Sequence, residues 1–160
     1  MATNGEMLLR RYEGKAAVLQ LTDVQAAYLA GLWDGEGYIG ISRRRRHSGR
    51  WNYSQHVSVG NTNFTLVARI VELLGEHAFV SSRKLPSGKT FFHIHIRRLL
   101  MVKLLRAIVP YLVAKRRQAE IVLHHRDLCE NASKGQFPDE VLEHSYLEIR
   151  ALNARKGRHL

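Results

Sequence analysis

The chain has 160 residues, 45% of them hydrophobic, and a formal net charge of +11; that length and apolar content suit a single globular domain with one core. No apolar run approaches the roughly 18 residues of a membrane-spanning helix, Met1 to Gln20 lacks a long apolar stretch, and Cys129 is the only cysteine. A membrane partner, a secretory or transit peptide and an intrachain disulfide are therefore not expected, and the lone thiol agrees with a reducing, intracellular compartment.

The charge is segregated along the chain. Gly37 to Ala119 holds 16 Lys or Arg against two acids, a net +14, while the remainder is net −3. Solubility does not require such separation of sign. A basic block of this kind points to a polyanionic partner, nucleic acid above all.

Residues 1–20 read as an extension ahead of a single domain over 21–160. Thr22 and Gln25 form a capping box that starts a helix expected to run to about Asp34, with Gly35 and Gly37 as its stop. Period-two alternation predicts strands over 38–46 and 53–60, with Ile39, Ile41, Tyr53, Val57 and Val59 inward. Tyr38, Gly40, Ser42, Ser54, His56 and Ser58 face outward in that pattern. Asn63 caps a helix over 64–74 that Gly75 ends. A hairpin over 78–84 and 90–97 turns at Pro86-Ser87-Gly88. Three helices follow, over about 98–109, 115–130 and 138–154, with Pro110 ending the first and Pro138 in the first turn of the last. The order αββαββααα predicts an α+β domain: a four-stranded antiparallel sheet with helices on one face and a polar, basic face left open.

The chemistry concentrates in Leu29-Ala30-Gly31-Leu32-Trp33-Asp34-Gly35-Glu36-Gly37. Ala27, Gly31 and Gly35 recur at every fourth position, a row of small residues that lets a second helix approach closely. Glu36 is expected just beyond the helix end. A two-fold pair of such helices brings two Glu36 carboxylates together, and their repulsion is relieved by cations. Hard oxygen donors suit Mg²⁺, which takes one or two protein carboxylates and keeps its waters. His93 and His95 on one strand are too few ligands for a zinc site. His124, His125 and Cys129 fall on one helix, whose histidines read as ordinary surface residues.

This nine-residue stretch resembles the signature of the LAGLIDADG homing endonucleases, with Trp33, Gly35 and Glu36 as tolerated variants. The likeness extends over roughly 22–155 and is greatest to the compact, single-motif, intron-encoded homodimers. It implies the αββαββ core of that family and a divalent-metal-dependent double-stranded DNA endonuclease. Glu36 takes the metal-binding acid's place, and Gly35 that of the carbonyl that helps it; Mn²⁺ or Ca²⁺ can stand in for Mg²⁺. Glu replaces the commoner Asp, so the carboxylate reaches further. Lys115, within Val109 to Ala119, takes the place of the lysine near the scissile phosphate, and Asn61 that of a polar residue holding the water network. Asp34 reads as structural, bonding backbone donors. One motif per chain implies a homodimer through Ala27, Gly31 and Gly35 on a long pseudo-palindromic target.

The open sheet face would then lie in the major groove. Alternation selects Tyr38, Ser42, Arg44 and Arg46 from the first strand, and Asn52, Ser54, His56 and Ser58 from the second. Arg83, His93 and His95 come from the hairpin. Arg50, Lys89, Arg116 and Arg117 are expected on phosphates. The other reading is a cleavage-inactive RNA maturase or DNA-binding regulator of the same fold. Retention of both Glu36 and Lys115 favours the nuclease. The expected setting is the cytoplasm of a prokaryote or an organelle.

Overall fold

The structure is a computed structural model and describes residues 19–75, 78–131 and 139–154. The expected extension over 1–20 lies, except for its last two residues, outside them, as does Pro138. The element order is α1 (Asp23–Glu36), β1 (Gly37–Arg45), β2 (Trp51–Asn61), α2 (Phe64–Leu74), β3 (Ala78–Lys84), β4 (Thr90–Ile96) and α3 (Arg98–Ile108). A 3-10 turn (Val109–Tyr111), α4 (Arg116–Asn131) and α5 (Asp139–Ala154) complete it. The strands form one sheet in the order β1-β2-β4-β3. This is the predicted α+β order, with flanking helices.

Two compact units divide these elements: Met1–Tyr38 with Val57–Val113, and Ile39–His56 with Ala114–Leu160. In the first, α1 begins at the capping box foreseen from Thr22 and Gln25, with both reciprocal bonds present. Ala26, Leu29, Ala30 and Trp33 form its buried stripe. With Ile70, Leu74, Ile94, Leu100, Met101, Leu104, Leu105 and Ile108 they make the core. Each large apolar side chain buried there contributes about 1.5–3 kcal/mol against leaving it in water. Asn63 caps α2 through its side chain, which accepts from the Leu66 amide at 3.1 Å. Gly75 ends it at φ 68, a backbone state that favours glycine.

Helix α1 runs two residues further than expected. Glu36 lies in its last turn, not beyond its end, and Gly35 is inside the helix. Gly37 does not supply a left-handed stop either: its φ of −83 and ψ of 161 carry the chain straight into β1, while its N–H still donates to the Trp33 carbonyl. Glycine is needed at 37 for space, since a Cβ there would lie 2.6 Å from the Trp33 ring.

In the second unit, α4 and α5 pack together. Its buried apolar side chains include Ile39, Ile41, Ile121, Val122 and Ile149. The Asn153 side-chain amide donates to the Ile39 carbonyl at 3.1 Å, tying the end of α5 to the start of β1. Gly40, expected outward, is buried; with no side chain to project, glycine follows its neighbours Ile39 and Ile41.

Candidate active site and nucleic-acid interface

Two opposite stripes divide α1. The buried one faces its own unit; the other presents Val24, Ala27, Tyr28, Gly31 and Gly35 to solvent, with Val24 79% and Tyr28 43% accessible. A Cβ added at Gly31 or Gly35 would meet nothing within 4 Å. Glu36 is exposed at the end of this stripe. A helix apolar on both sides ordinarily has both sides covered.

Asp34, the motif's other acid, is structural, as expected, but its partner is remote. Its Oδ2 accepts from the Val113 amide at 2.8 Å, 79 positions along the chain. Asn61 ends β2. Its Oδ1 accepts from the Asn63 amide at 2.9 Å, so the side chain shapes the turn into α2. Pairing of Asn61 with Phe92 puts it in register with the core-facing residues Val59 and Ile94.

Lys115, in the second unit, is 6% exposed. Its carbonyl accepts from the Ala119 amide at 3.1 Å, opening α4. Arg116 and Arg117, expected on phosphates, are engaged within the unit. Arg116 pairs with Glu120 at 3.5 Å, and Arg117 with Glu148 at 2.6 Å and Glu120 at 3.7 Å. The Glu148 hydrogen bond, first, and its charge raise the Arg117 pKa further. Helix periodicity alone shows Glu120 three and four residues on; Glu148 belongs to another helix.

The alternation of β1 and β2 holds in burial except at Gly40 and Ser58. On the open side of the second unit, Ser42 Oγ and His56 Nε2 are hydrogen-bonded at 2.7 Å. Arg46 Nη2 donates to Asn52 Oδ1 at 2.6 Å, and Asn52 Nδ2 to Ser54 Oγ at 3.4 Å. Arg44 and Arg50 are exposed. In the first unit, one side of the β3–β4 pair carries Phe79 opposite His95, Ser81 opposite His93 and Arg83 opposite Phe91. The His93 and His95 rings lie 4.0 Å apart, edge to face. Burial, then His95 and Arg83, lower the His93 pKa. Tyr38 is 47% exposed, and Lys89 is exposed in the hairpin turn.

Ser58 departs from expectation. It falls on the His95 side of the register yet is 6% exposed. Its side chain is short, on an inner strand beside the larger His95, so alternation gives the correct face but not access.

The helix-facing side of the β1–β2 hairpin holds residues that sequence reasoning missed. Glu143 of α5 accepts from both Arg43 and Tyr53. Tyr53 is pushed up to about 12, by burial first and then by that hydrogen bond. The same Tyr53 bond, then Arg43, draws the Glu143 carboxyl down. His125, read from sequence as a surface residue, is fully buried, and its Nδ1 is hydrogen-bonded to the Gln55 amide at 2.6 Å. Burial lowers its pKa to about 4. Exposed His124 is its neighbour, and helix phase could have separated the two; the Gln55 partner of His125 and the Glu143 partner of Arg43 and Tyr53 lie 70 or more positions away and leave no local signal.

A divalent ion asks for hard oxygen donors. Exposed Glu36 with the Gly35 carbonyl fits that demand, as half of a set. Among the described residues no three His, Cys, Asp or Glu side chains gather as a metal site.

An α+β chain with a basic strand face and an acid closing a small-residue helix defines a narrow class. Residues 23–109 match the LAGLIDADG-like domain, and the chain belongs to that family. No curated protein matches it in sequence. Among solved structures it is similar to the homing endonuclease I-CvuI, with 23% identity, a TM-score of 0.60, and 82% of this chain and 81% of that one covered. The archaeal intron-encoded homing endonuclease I-Vdi141I gives 15% identity and a TM-score of 0.54, over 82% of this chain and 98% of that one. The LAGLIDADG homing endonuclease I-SmaMI gives 18% and 0.54, over 84% of this chain but 50% of that one. At these identities the likeness is one of fold.

Proposed function

We propose that this protein is a site-specific double-stranded DNA endonuclease that works as a homodimer with divalent metal. The observation that carries this reading is the uncovered stripe Val24, Ala27, Gly31 and Gly35 ending at exposed Glu36. Coverage of only half of I-SmaMI supports the need for a second copy. I-CvuI was crystallised with Mg on DNA that was not cleaved and with Ca on its target, and I-SmaMI on cleaved DNA, which supports the substrate and a divalent ion.

In this reading, two α1 stripes pack across a two-fold axis and bring one Glu36 from each chain to that axis. Glu36, with the Gly35 carbonyl, would hold the ion; Mg²⁺ fits its hard oxygens. The chemistry such an ion supplies is neutralisation of charge on the phosphoryl and leaving oxygens. Lys115 adds positive charge for the pentacoordinate phosphorus. Asn61 orients water through whatever bonding its Asx turn leaves open. Arg44, Arg46, Asn52, Ser54, His56, Arg83, His93 and His95 meet base edges, and Arg50 and Lys89 meet phosphates.

The test is cleavage of a randomised duplex library with and without Mg²⁺, beside sedimentation of the protein. Dimers that cut selected sites only with Mg²⁺ are expected. Glu36→Gln should abolish cutting while DNA affinity stays within about 3-fold. Monomers, or RNA binding with no cleavage of any duplex, would overturn the proposal.

A further inference from the structure

The four consecutive arginines 43–46 do not form one basic patch. Alternation sends Arg44 and Arg46 to the open face and Arg43 and Arg45 to the helix side. There the Arg43 guanidinium lies 4.4 Å from the Trp51 ring centre and 4.8 Å from that of Tyr146, and is paired with Glu143. The other oxygen of Glu143 accepts from Tyr53. Tyr53 continues the cluster, 6.1 Å from Tyr146 and 6.0 Å from His125, and His125 is bonded to Gln55. Between the open-face residues Ser42 and Arg44 sits Arg43; between Asn52, Ser54 and His56 sit Tyr53 and Gln55. Ser42, Arg44, Asn52, Ser54 and His56 thus each have a chain neighbour fastened from behind.

We propose that Glu143 is a positioning residue for base recognition: it holds Arg43 and Tyr53 against α5, withdraws Arg43 from DNA, and fixes the pitch at which the opposite face of the hairpin is presented. This rests on the DNA-binding reading above. Base readout tolerates only small displacements, of roughly 0.5 Å or 10–20°. A bare surface ion pair would not supply that. A guanidinium stacked on two rings and sharing a carboxylate with a tyrosine hydroxyl is held at several points. Arg43 is 27% exposed and Glu143 26%, so loss of the carboxylate leaves a cation able to swing outward and find a phosphate.

The experiment measures binding without metal over a range of salt, on a duplex selected from a random library by the wild-type protein and on a scrambled duplex. In Glu143→Gln, the cognate-to-scrambled affinity ratio should fall at least about 10-fold, mainly at base pairs under the β1–β2 hairpin. The slope of log K against log salt should steepen by about 1.8 per dimer, one new phosphate contact per chain. Arg43→Met should lower the ratio but leave the slope unchanged. Tyr53→Phe, which keeps the ring and loses only the hydroxyl, should lower the ratio about 3-fold at unchanged slope, and it decides the matter if Glu143→Gln does not fold.

Equal loss on both duplexes at constant slope would reduce Glu143 to a stabilising residue and overturn the proposal. So would a shallower slope in Arg43→Met, which would put Arg43 on phosphate in the wild type, or a Tyr53→Phe ratio equal to wild type. Failure of the wild-type protein to select any duplex sinks the DNA-binding reading itself, and this proposal with it.

Discussion

Trp33 and Gly37 approach too closely for any side chain at position 37. A Cβ there would stand 2.6 Å from Trp33 Cδ1 and 2.7 Å from its Cα. Trp33 is fully buried, so it cannot yield by turning into solvent. Gly37→Ala should therefore cost about 1–3 kcal/mol, the range for overpacking a filled site. Urea denaturation checks this; a midpoint equal to wild type would mean the helix end shifts to accommodate the methyl.

The two glycines on the other stripe behave oppositely. Gly31 and Gly35 have open space where a Cβ would stand, and both are within α1. Alanine there removes the helix penalty of glycine, so Gly31→Ala should stabilise the isolated chain by about 0.5–1 kcal/mol. In the proposed homodimer the same methyl holds two backbones apart, and dimer affinity should drop at least about 10-fold. Sedimentation at graded concentration measures the second effect. Unchanged self-association would remove this stripe from the interface.

These contrasts separate what was legible from what was not. The capping box, the i, i+4 rows and the i, i+2 alternation are local, and they gave the element order and the open face of Ser42, Arg44, Arg46, Asn52 and His56. Asp34 read as structural from its place at the helix end, but its partner Val113 is 79 residues away and has no local signature. The same holds for Arg43 with Glu143, 100 positions apart, and for Gln55 with His125. Burial of Ser58 and His125 likewise depends on what other elements lay over them. The helix end was misplaced for a different reason: Gly37 resembles a conformational stop, whereas its function is to make room for Trp33.

His125 makes acid stability a readout of the second unit. Its pKa falls from the ordinary 6.5 to about 4 because burial disfavours the imidazolium. The unfolded chain therefore takes up the proton first. The stability this neutral histidine contributes is complete above pH 6.5 and is lost as pH falls toward 4. The loss reaches at most about 3 kcal/mol, less whatever solvent screening removes. Denaturation midpoints between pH 7 and pH 4 should fall in wild type and fall less in His125→Gln, which starts less stable. Parallel curves would show that other groups govern acid unfolding.

His93 should couple DNA binding to pH with a sign fixed by its surroundings. Burial, His95 and Arg83 all lower its pKa below the ordinary 6.5, so the free protein carries it neutral at neutral pH. Across the register it faces Gly60 on β2 and Ser81 on β3, neither of which titrates. Nearby phosphates favour the cation, so bound DNA raises the His93 pKa and association takes up a proton. Affinity should then be flat on the alkaline side and rise as pH falls below the bound-state value, levelling off once the free protein is protonated too. A gain of about 10-fold per chain, or about 100-fold for the proposed homodimer, corresponds to one pKa unit between the two states. His93→Asn should flatten the profile while leaving alkaline affinity within about 3-fold, because its amide can still offer one donor and one acceptor to a base edge. Fluorescence anisotropy at constant ionic strength measures both proteins, and a wild-type profile that stays flat, or that falls with acid, would place His93 away from the phosphates.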